Sequence, residues 1–254
     1  MRDFILNILF PIECVGCSKE GGWICESCLN TIPFNSSRYC FSCKQKNNYG
    51  EFCRNCAPNF FLNGVWIAGN YDNPLLAKLI KNLKYRGAEN IAVILGNYLS
   101  RFMQGLLDKN RLTGSDLYKT EVWRRFHKVK QAPPILLDFN NTIIIPVPLH
   151  KKRQRLRGFN QSEQLARVIN KNFNLEINHN LIRIKHKKAQ AKLHEKNRWE
   201  NIKNCFSYQG KNLNNKNILL IDDVATTGAT LNECARVLKE NNAKEVWGLV
   251  VAKG

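Results

Sequence analysis

The stretch Ile218-Leu219-Leu220-Ile221-Asp222-Asp223-Val224-Ala225-Thr226-Thr227-Gly228-Ala229-Thr230 decides how the chain is read. Its four leading apolar residues are too few for a helix of their own and read as a buried strand. Asp222 and Asp223 follow at the strand's carboxyl end, and a turn of Thr, Thr, Gly and Thr comes next. Beyond the turn, Leu231, Cys234, Ala235 and Leu238 recur at helical spacing. The turn therefore sits where a strand feeds a helix, which is where open α/β sheets bind ligands. Backbone N–H groups at a helix start lack intrahelical partners, and the helix dipole favours an anion there. The expectation is a phosphate held by Thr226, Thr227, Gly228, Ala229 and Thr230, with a polyhydroxyl group on Asp222 and Asp223. The plain alternative is an acidic pair capping a helix beside a tight turn. Composition seldom supplies all of these features together.

Working backward, Thr142-Ile143-Ile144-Ile145-Pro146-Val147 reads as another buried strand that stops near Pro146. A basic loop, Pro148 to Arg155, follows it. Asn160 with Glu163 three residues on reads as a helix cap, and Leu165, Ala166, Val168 and Ile169 face inward. Further strands are expected near Leu181–Ile184 and Glu245–Val251, with a basic polar stretch from Lys187 to Asn204. Earlier in the chain, Val65–Tyr71 reads as a strand. Asn73-Pro74 opens a helix that Gly87 ends, and a second helix runs from about Ala88 to Leu107. Lys78, Lys81, Lys84 and Arg86 read as the solvated side of the first of these, with a nucleic-acid contact as the sharper alternative. Strands alternating with helices predict an α/β fold with a mostly parallel sheet. Residues 108–138 read as a polar excursion.

Eight of the ten cysteines fall before residue 60, as four Cys-x-x-Cys pairs: Cys14/Cys17, Cys25/Cys28, Cys40/Cys43 and Cys53/Cys56. Each pair can grip a metal from one tight knuckle, and two knuckles complete a tetrahedral S₄ zinc site. About 50 residues hold too little core to stand alone, so metal would supply folding energy. A disulfide framework would need an oxidising compartment, and no signal-peptide pattern is seen. Two structural zinc ions are expected, paired in sequence or interleaved. Cys205 and Cys234 fit no such pattern and read as core.

The 254 residues carry 39 Lys+Arg against 20 Asp+Glu, a formal +19. Eight thiolates and two divalent ions would remove roughly four of those charges. The excess points to a polyanionic partner: a multiply phosphorylated small molecule, nucleic acid, or both. No run of 18 apolar residues exists, so no membrane span is expected. Residues 4–12 lack a cleavage site and read as a short helix stopped by Pro11, consistent with a cytoplasmic protein.

The 218–230 stretch resembles the signature of type I phosphoribosyltransferases, which binds phosphoribosyl pyrophosphate (PRPP). The resemblance implies that Asp222 and Asp223, the catalytic pair, hold the ribose hydroxyls, and that the Thr226–Thr230 turn holds the 5′-phosphate. By position it also makes Leu149, His150, Lys151, Lys152 and Arg153 the pyrophosphate loop, with Mg²⁺ accompanying PRPP. Four Cys-x-x-Cys pairs, Lys84-Tyr85-Arg86-Gly87, Pro146-Val147-Pro148-Leu149-His150, Arg157-Gly158-Phe159-Asn160-Gln161 and Gln190…Leu193…Arg198…Asn201 precede that signature. Together they make nearly the whole chain similar to the ComF family. That resemblance implies a double zinc ribbon-like module over residues 1–60 and a phosphoribosyltransferase-like domain over 61–254. It also implies a part in natural competence, handling single-stranded DNA beside other competence or DNA-processing proteins. Trp66, Tyr71, Tyr85, Phe159 and Trp199 are candidates for base stacking, with ordinary core as the alternative. A second reading is an active Mg²⁺-dependent transferase moving ribose 5-phosphate from PRPP to a base or amine. No residue announces the acceptor, and any hood over it is expected from residues before 141.

Overall fold

A computed structural model describes residues 11–84, 89–114, 138–185 and 195–254. Residues 4–10 of the expected helix at 4–12, the Gly87 stop, Tyr85, Arg86, Gln190, Leu193 and most of 108–138 lie outside the described residues. The elements are α1 (Glu26–Asn30), β1 (Gly64–Asn70), α2 (Pro74–Asn82), α3 (Glu89–Gly114), β2 (Thr142–Pro146), α4 (Lys151–Arg157), α5 (Gln161–Phe173), β3 (Leu181–Arg183), α6 (Glu195–Ile202), β4 (Phe206–Tyr208), β5 (Asn217–Ala225), α7 (Ala229–Glu240) and β6 (Glu245–Lys253).

Four strands form one parallel sheet in the order β1-β6-β5-β2. The signature strand is central, which is why its apolar run is continuous rather than alternating: both faces are covered. Leu219 and Ile221 join one core with Trp66, Ile144 and Trp247, closed by apolar residues of α2, α3 and α5. Ile218 and Leu220 join the other with Val65, Ile143, Ile145 and Val250, closed by α7 and the β3–β4 pair. Successive residues of a strand point to opposite faces, so one four-residue run serves both cores.

The local signals act as read. Asn73 accepts hydrogen bonds from the N–H groups of Leu75 and Leu76, with Pro74 at the first helical position. Asn160 accepts from Ser162 N at 3.2 Å. Cys205 and Cys234 are fully buried core. Trp66 and Phe159 are core residues too, at 4% and 7% exposure, which removes them from the stacking candidates.

Four expectations change. β5 does not stop before the acidic pair but runs through it to Ala225, because Asp222 and Val224 still pair with Val250 and Ala252 of β6. The basic stretch after β2 is largely helix, with His150 as cap: its Nδ1 accepts from Lys152 N at 3.2 Å. The strand at 181 leaves the main sheet and pairs antiparallel with β4. α3 continues to Gly114, seven residues past the expected end at Leu107.

The cysteine-rich segment is packed onto the sheet rather than held apart. Trp66 Nε1 donates to the Tyr49 carbonyl at 2.8 Å, and Glu51 bridges to Gly64 at the start of β1. Ile32 enters the first core, and Cys40, Phe41 and Phe52 enter the second. Among the described residues no helix is long and apolar enough to cross a membrane.

Candidate functional site

The ends of β2 and β5 open side by side, since Pro146 pairs with Ile221 and Val147 N donates to the Ile221 carbonyl at 3.0 Å. The acidic pair sits at this edge and is nearly closed off, Asp222 at 9% and Asp223 at 6% exposure. Ser162, at the start of α5, donates its hydroxyl to Asp222 Oδ1 at 2.8 Å, and Asp223 N donates to the same oxygen at 2.9 Å. Val224 N donates to Asp223 Oδ1 at 2.9 Å. Burial, and then the charge of Asp223, push the Asp222 carboxyl well above the ordinary carboxylate range, against the pull of the Ser162 bond. Asp223 Oδ2 is buried and accepts no hydrogen bond, and the Lys84 ammonium stands 3.4 Å from it. Two adjacent carboxylates with one oxygen unspent form a place where further positive charge or hydroxyl donors would be stabilised.

Positive charge converges on this pair from two other elements. Arg157, at the end of α4, donates to Gln161 Oε1 at 2.9 Å. Burial lowers the basicity of its guanidinium, the charge of Asp223 opposes this, and Arg153 adds to it. Arg183 of β3 behaves alike: burial lowers it, Arg153 lowers it further, and Asp222 is among the groups that oppose. Crowded, half-desolvated guanidiniums are relieved by a polyanion.

The turn follows directly. Gly228 adopts φ +76°, the left-handed region, and caps α7 without a side-chain bond. Ala229 N donates to Thr227 Oγ1 at 3.4 Å. Thr226 is exposed, Thr227 and Thr230 are half-buried, and Gly228 and Ala229 are buried. A glycine in this conformation leading into a helix leaves backbone N–H groups aimed outward, the arrangement that takes an oxyanion.

Among the residues assigned by position to pyrophosphate, Leu149, His150 and Lys151 line a cleft of about 450 Å³ with Glu163, His179 and Arg183. Lys152 is exposed and Arg153 half-buried on α4 beside it. The sequence assigned no role to Ser162 or Arg157 and placed Lys84 on the solvated side of its helix, with a nucleic-acid contact as the alternative, whereas Lys84 faces Asp223. The only signal for Lys84 and Arg157 at the site was their place in the Lys84–Gly87 and Arg157–Gln161 motifs.

The cysteines assemble as two clusters, Cys14/Cys17/Cys25/Cys28 and Cys40/Cys43/Cys53/Cys56, with all sulfurs of a cluster within 4.8 Å of one another. This settles the pairing as sequential. Contacts of 3.8, 3.7 and 3.6 Å between sulfurs match the edge of about 3.8 Å that a tetrahedron with Zn–S of about 2.3 Å requires. In the first cluster the N–H groups of Cys25 and then Cys17 draw the Cys14 thiol down to about 6, whereas its bond to the Cys25 sulfur pushes Cys28 up to about 12. Such a set fits a structural zinc ion, with four thiolate donors and no open position.

Comparison with known proteins agrees with both halves. A double zinc ribbon domain matches residues 5–57, and a phosphoribosyl transferase domain matches residues 158–253. Competence protein F of Haemophilus influenzae is 31% identical over 96% of this chain and 98% of its own length. Competence protein ComFC of Bacillus subtilis is 27% identical over 85% of this chain and 78% of its own. The DNA utilization protein YhgH of Escherichia coli strain K12 is 32% identical over 42% and 48%. With a parallel sheet carrying the acidic pair and turn, two Cys₄ clusters ahead of it, and a match to competence protein F along nearly all of both chains, this chain belongs to the ComF family of competence proteins.

Proposed function

We propose that the chain binds PRPP with Mg²⁺ and acts in natural competence, handling single-stranded DNA in the cytoplasm beside other DNA-processing proteins. The observation that carries the first part is the buried pair Asp222–Asp223, with Asp223 Oδ2 accepting no hydrogen bond and faced by Lys84, leading straight into the Gly228 turn. In this reading Asp222 and Asp223 take the ribose hydroxyls, and Thr226–Thr230 take the 5′-phosphate. Leu149, His150, Lys151, Lys152 and Arg153 take the pyrophosphate, whose Mg²⁺ neutralises charge that the protein's cations leave uncovered. Residues 1–60 serve as the double zinc ribbon module and 61–254 as the phosphoribosyltransferase-like domain. The part in DNA handling rests on the names of the relatives and on the +19 charge.

Calorimetric titration with PRPP and Mg²⁺ tests the site. Micromolar binding by the zinc-replete chain, lost in Asp222→Asn/Asp223→Asn, is the expected result. No heat with the folded wild type would remove PRPP as the ligand. Affinity for single-stranded DNA should fall steeply between 50 and 200 mM salt, as phosphate contacts require. The cleft beside His150, a seat for departing pyrophosphate, favours a second reading, an active Mg²⁺-dependent transferase. Pyrophosphate release on adding bases or amines would establish it.

A further inference from the structure

The second cysteine cluster and the phosphate turn are built against each other. Phe41 stands between Cys40 and Cys43 and is 3% exposed. Its ring abuts the turn: a Cβ on Gly228 would lie 2.9 Å from Phe41 Cε1. The Phe41 carbonyl accepts from Lys253 Nζ at 2.9 Å, and the same ammonium sits 4.2 Å from the ring centroid. Lys253 is the last residue of β6 and is paired in register with Ala225, the residue just before the turn. Gly254 N then donates to the Ala225 carbonyl at 3.0 Å. The knuckle, the turn and the ends of β5 and β6 thus form a closed circuit of contacts.

The first cluster rests elsewhere. Lys78 of α2 donates to the Val15 carbonyl at 3.2 Å, and a Cβ on Gly16 would meet Leu75 of α2 at 3.3 Å. Val15 and Leu29 pack on the first core, whereas Cys40 and Phe41 belong to the second and Cys53 and Cys56 pack on it.

We propose that Phe41 is a positioning residue for the phosphate turn, so that zinc at the Cys40/Cys43/Cys53/Cys56 cluster and an anion in the turn strengthen each other. This rests on the PRPP reading above. Metal fixes the knuckle, the knuckle fixes the ring, and the ring lies over the one turn residue whose backbone is free to leave its conformation. Coupling between two sites is reciprocal, so an anion that orders the turn also holds the second zinc.

Zinc extraction by a chromogenic chelator, with and without PRPP and Mg²⁺, tests this in the full chain. Labelling with N-ethylmaleimide, read by mass spectrometry, identifies which cysteines stay covered. PRPP should slow loss from Cys40, Cys43, Cys53 and Cys56 by about fivefold or more and leave the first cluster unchanged. Phe41→Ala should keep two zinc ions, weaken PRPP about tenfold and abolish the protection. Phe41→Leu should restore most of the affinity. Equal protection of both clusters, or of neither, overturns the proposal, as does Phe41→Ala binding PRPP like wild type. Should Phe41→Ala not fold, the wild-type extraction rates still decide. Absence of PRPP binding by the wild type takes down the PRPP reading as well, whereas a wild type that binds without protecting its zinc takes down only the coupling.

Discussion

Gly228→Ala places one methyl group where the turn has neither conformational nor spatial room for it. Gly228 sits at φ +76°, and an L-residue held in the left-handed region costs about 1–2 kcal/mol. The new Cβ lies 2.9 Å from Phe41 Cε1, so the ring must yield, and overpacking of this kind costs about 1–3 kcal/mol. Phe41 cannot retreat freely, since it is buried and its carbonyl is tied to Lys253. The stiffer unfolded chain returns about 0.4–1 kcal/mol. The net loss is roughly 1–4 kcal/mol, a fall in Tm of roughly 3–15 °C for a chain of this size. Thermal unfolding of the zinc-loaded protein measures it, and PRPP titration should show weakened binding in parallel. The decisive comparison is the same substitution in a Phe41→Ala background. There the steric part vanishes and only the conformational part remains, giving a coupling of about 1–3 kcal/mol. A Gly228→Ala variant within about 0.5 kcal/mol of wild type would contradict the geometry. So would an undiminished cost in the Phe41→Ala background.

Asp222→Asn should raise stability at neutral pH by about 0.5–2 kcal/mol while abolishing PRPP binding, as is common where a strained charge serves a site. The sign follows from linkage: a carboxyl whose folded pKa is raised contributes no penalty below its unfolded pKa of about 3.9, and a growing one as pH rises toward the folded value. The variant's advantage in urea midpoint should therefore widen from pH 4 upward, and a gap that does not change with pH would show that burial of the charge is not its source. Ser162→Ala removes the hydroxyl that meets Asp222 Oδ1 at 2.8 Å and should cost about 1–3 kcal/mol at pH 7, read from the same midpoints, and less in the Asp222→Asn background. Stripping both zinc ions should free the Tyr49 carbonyl from Trp66 Nε1 and disturb the Trp66–Trp247 stack at 5.0 Å. Tryptophan emission should shift to the red, and unchanged emission from fully stripped protein would mean the module keeps its docking without metal.

Much of this protein is legible in the sequence because its signals are local. Four apolar residues, two carboxylates and a Thr/Gly turn describe a strand, its end and a helix start within thirteen positions. Four Cys-x-x-Cys pairs describe two metal sites, since each pair must bite from one knuckle. Asn73-Pro74 and Asn160 announce helices through bonds to residues two or three positions away. What the sequence left open depends on distant chain meeting in space. Sequential against interleaved pairing of the cysteines is a matter of which knuckles approach. The counter-charge on Asp223 comes from Lys84, 139 positions earlier, and the hydroxyl on Asp222 from Ser162, 60 positions earlier. Nothing in the run from Cys40 to Cys43 signals that Phe41 closes over Gly228. Periodicity reports which face of an element is buried, but only packing decides what that face is buried against.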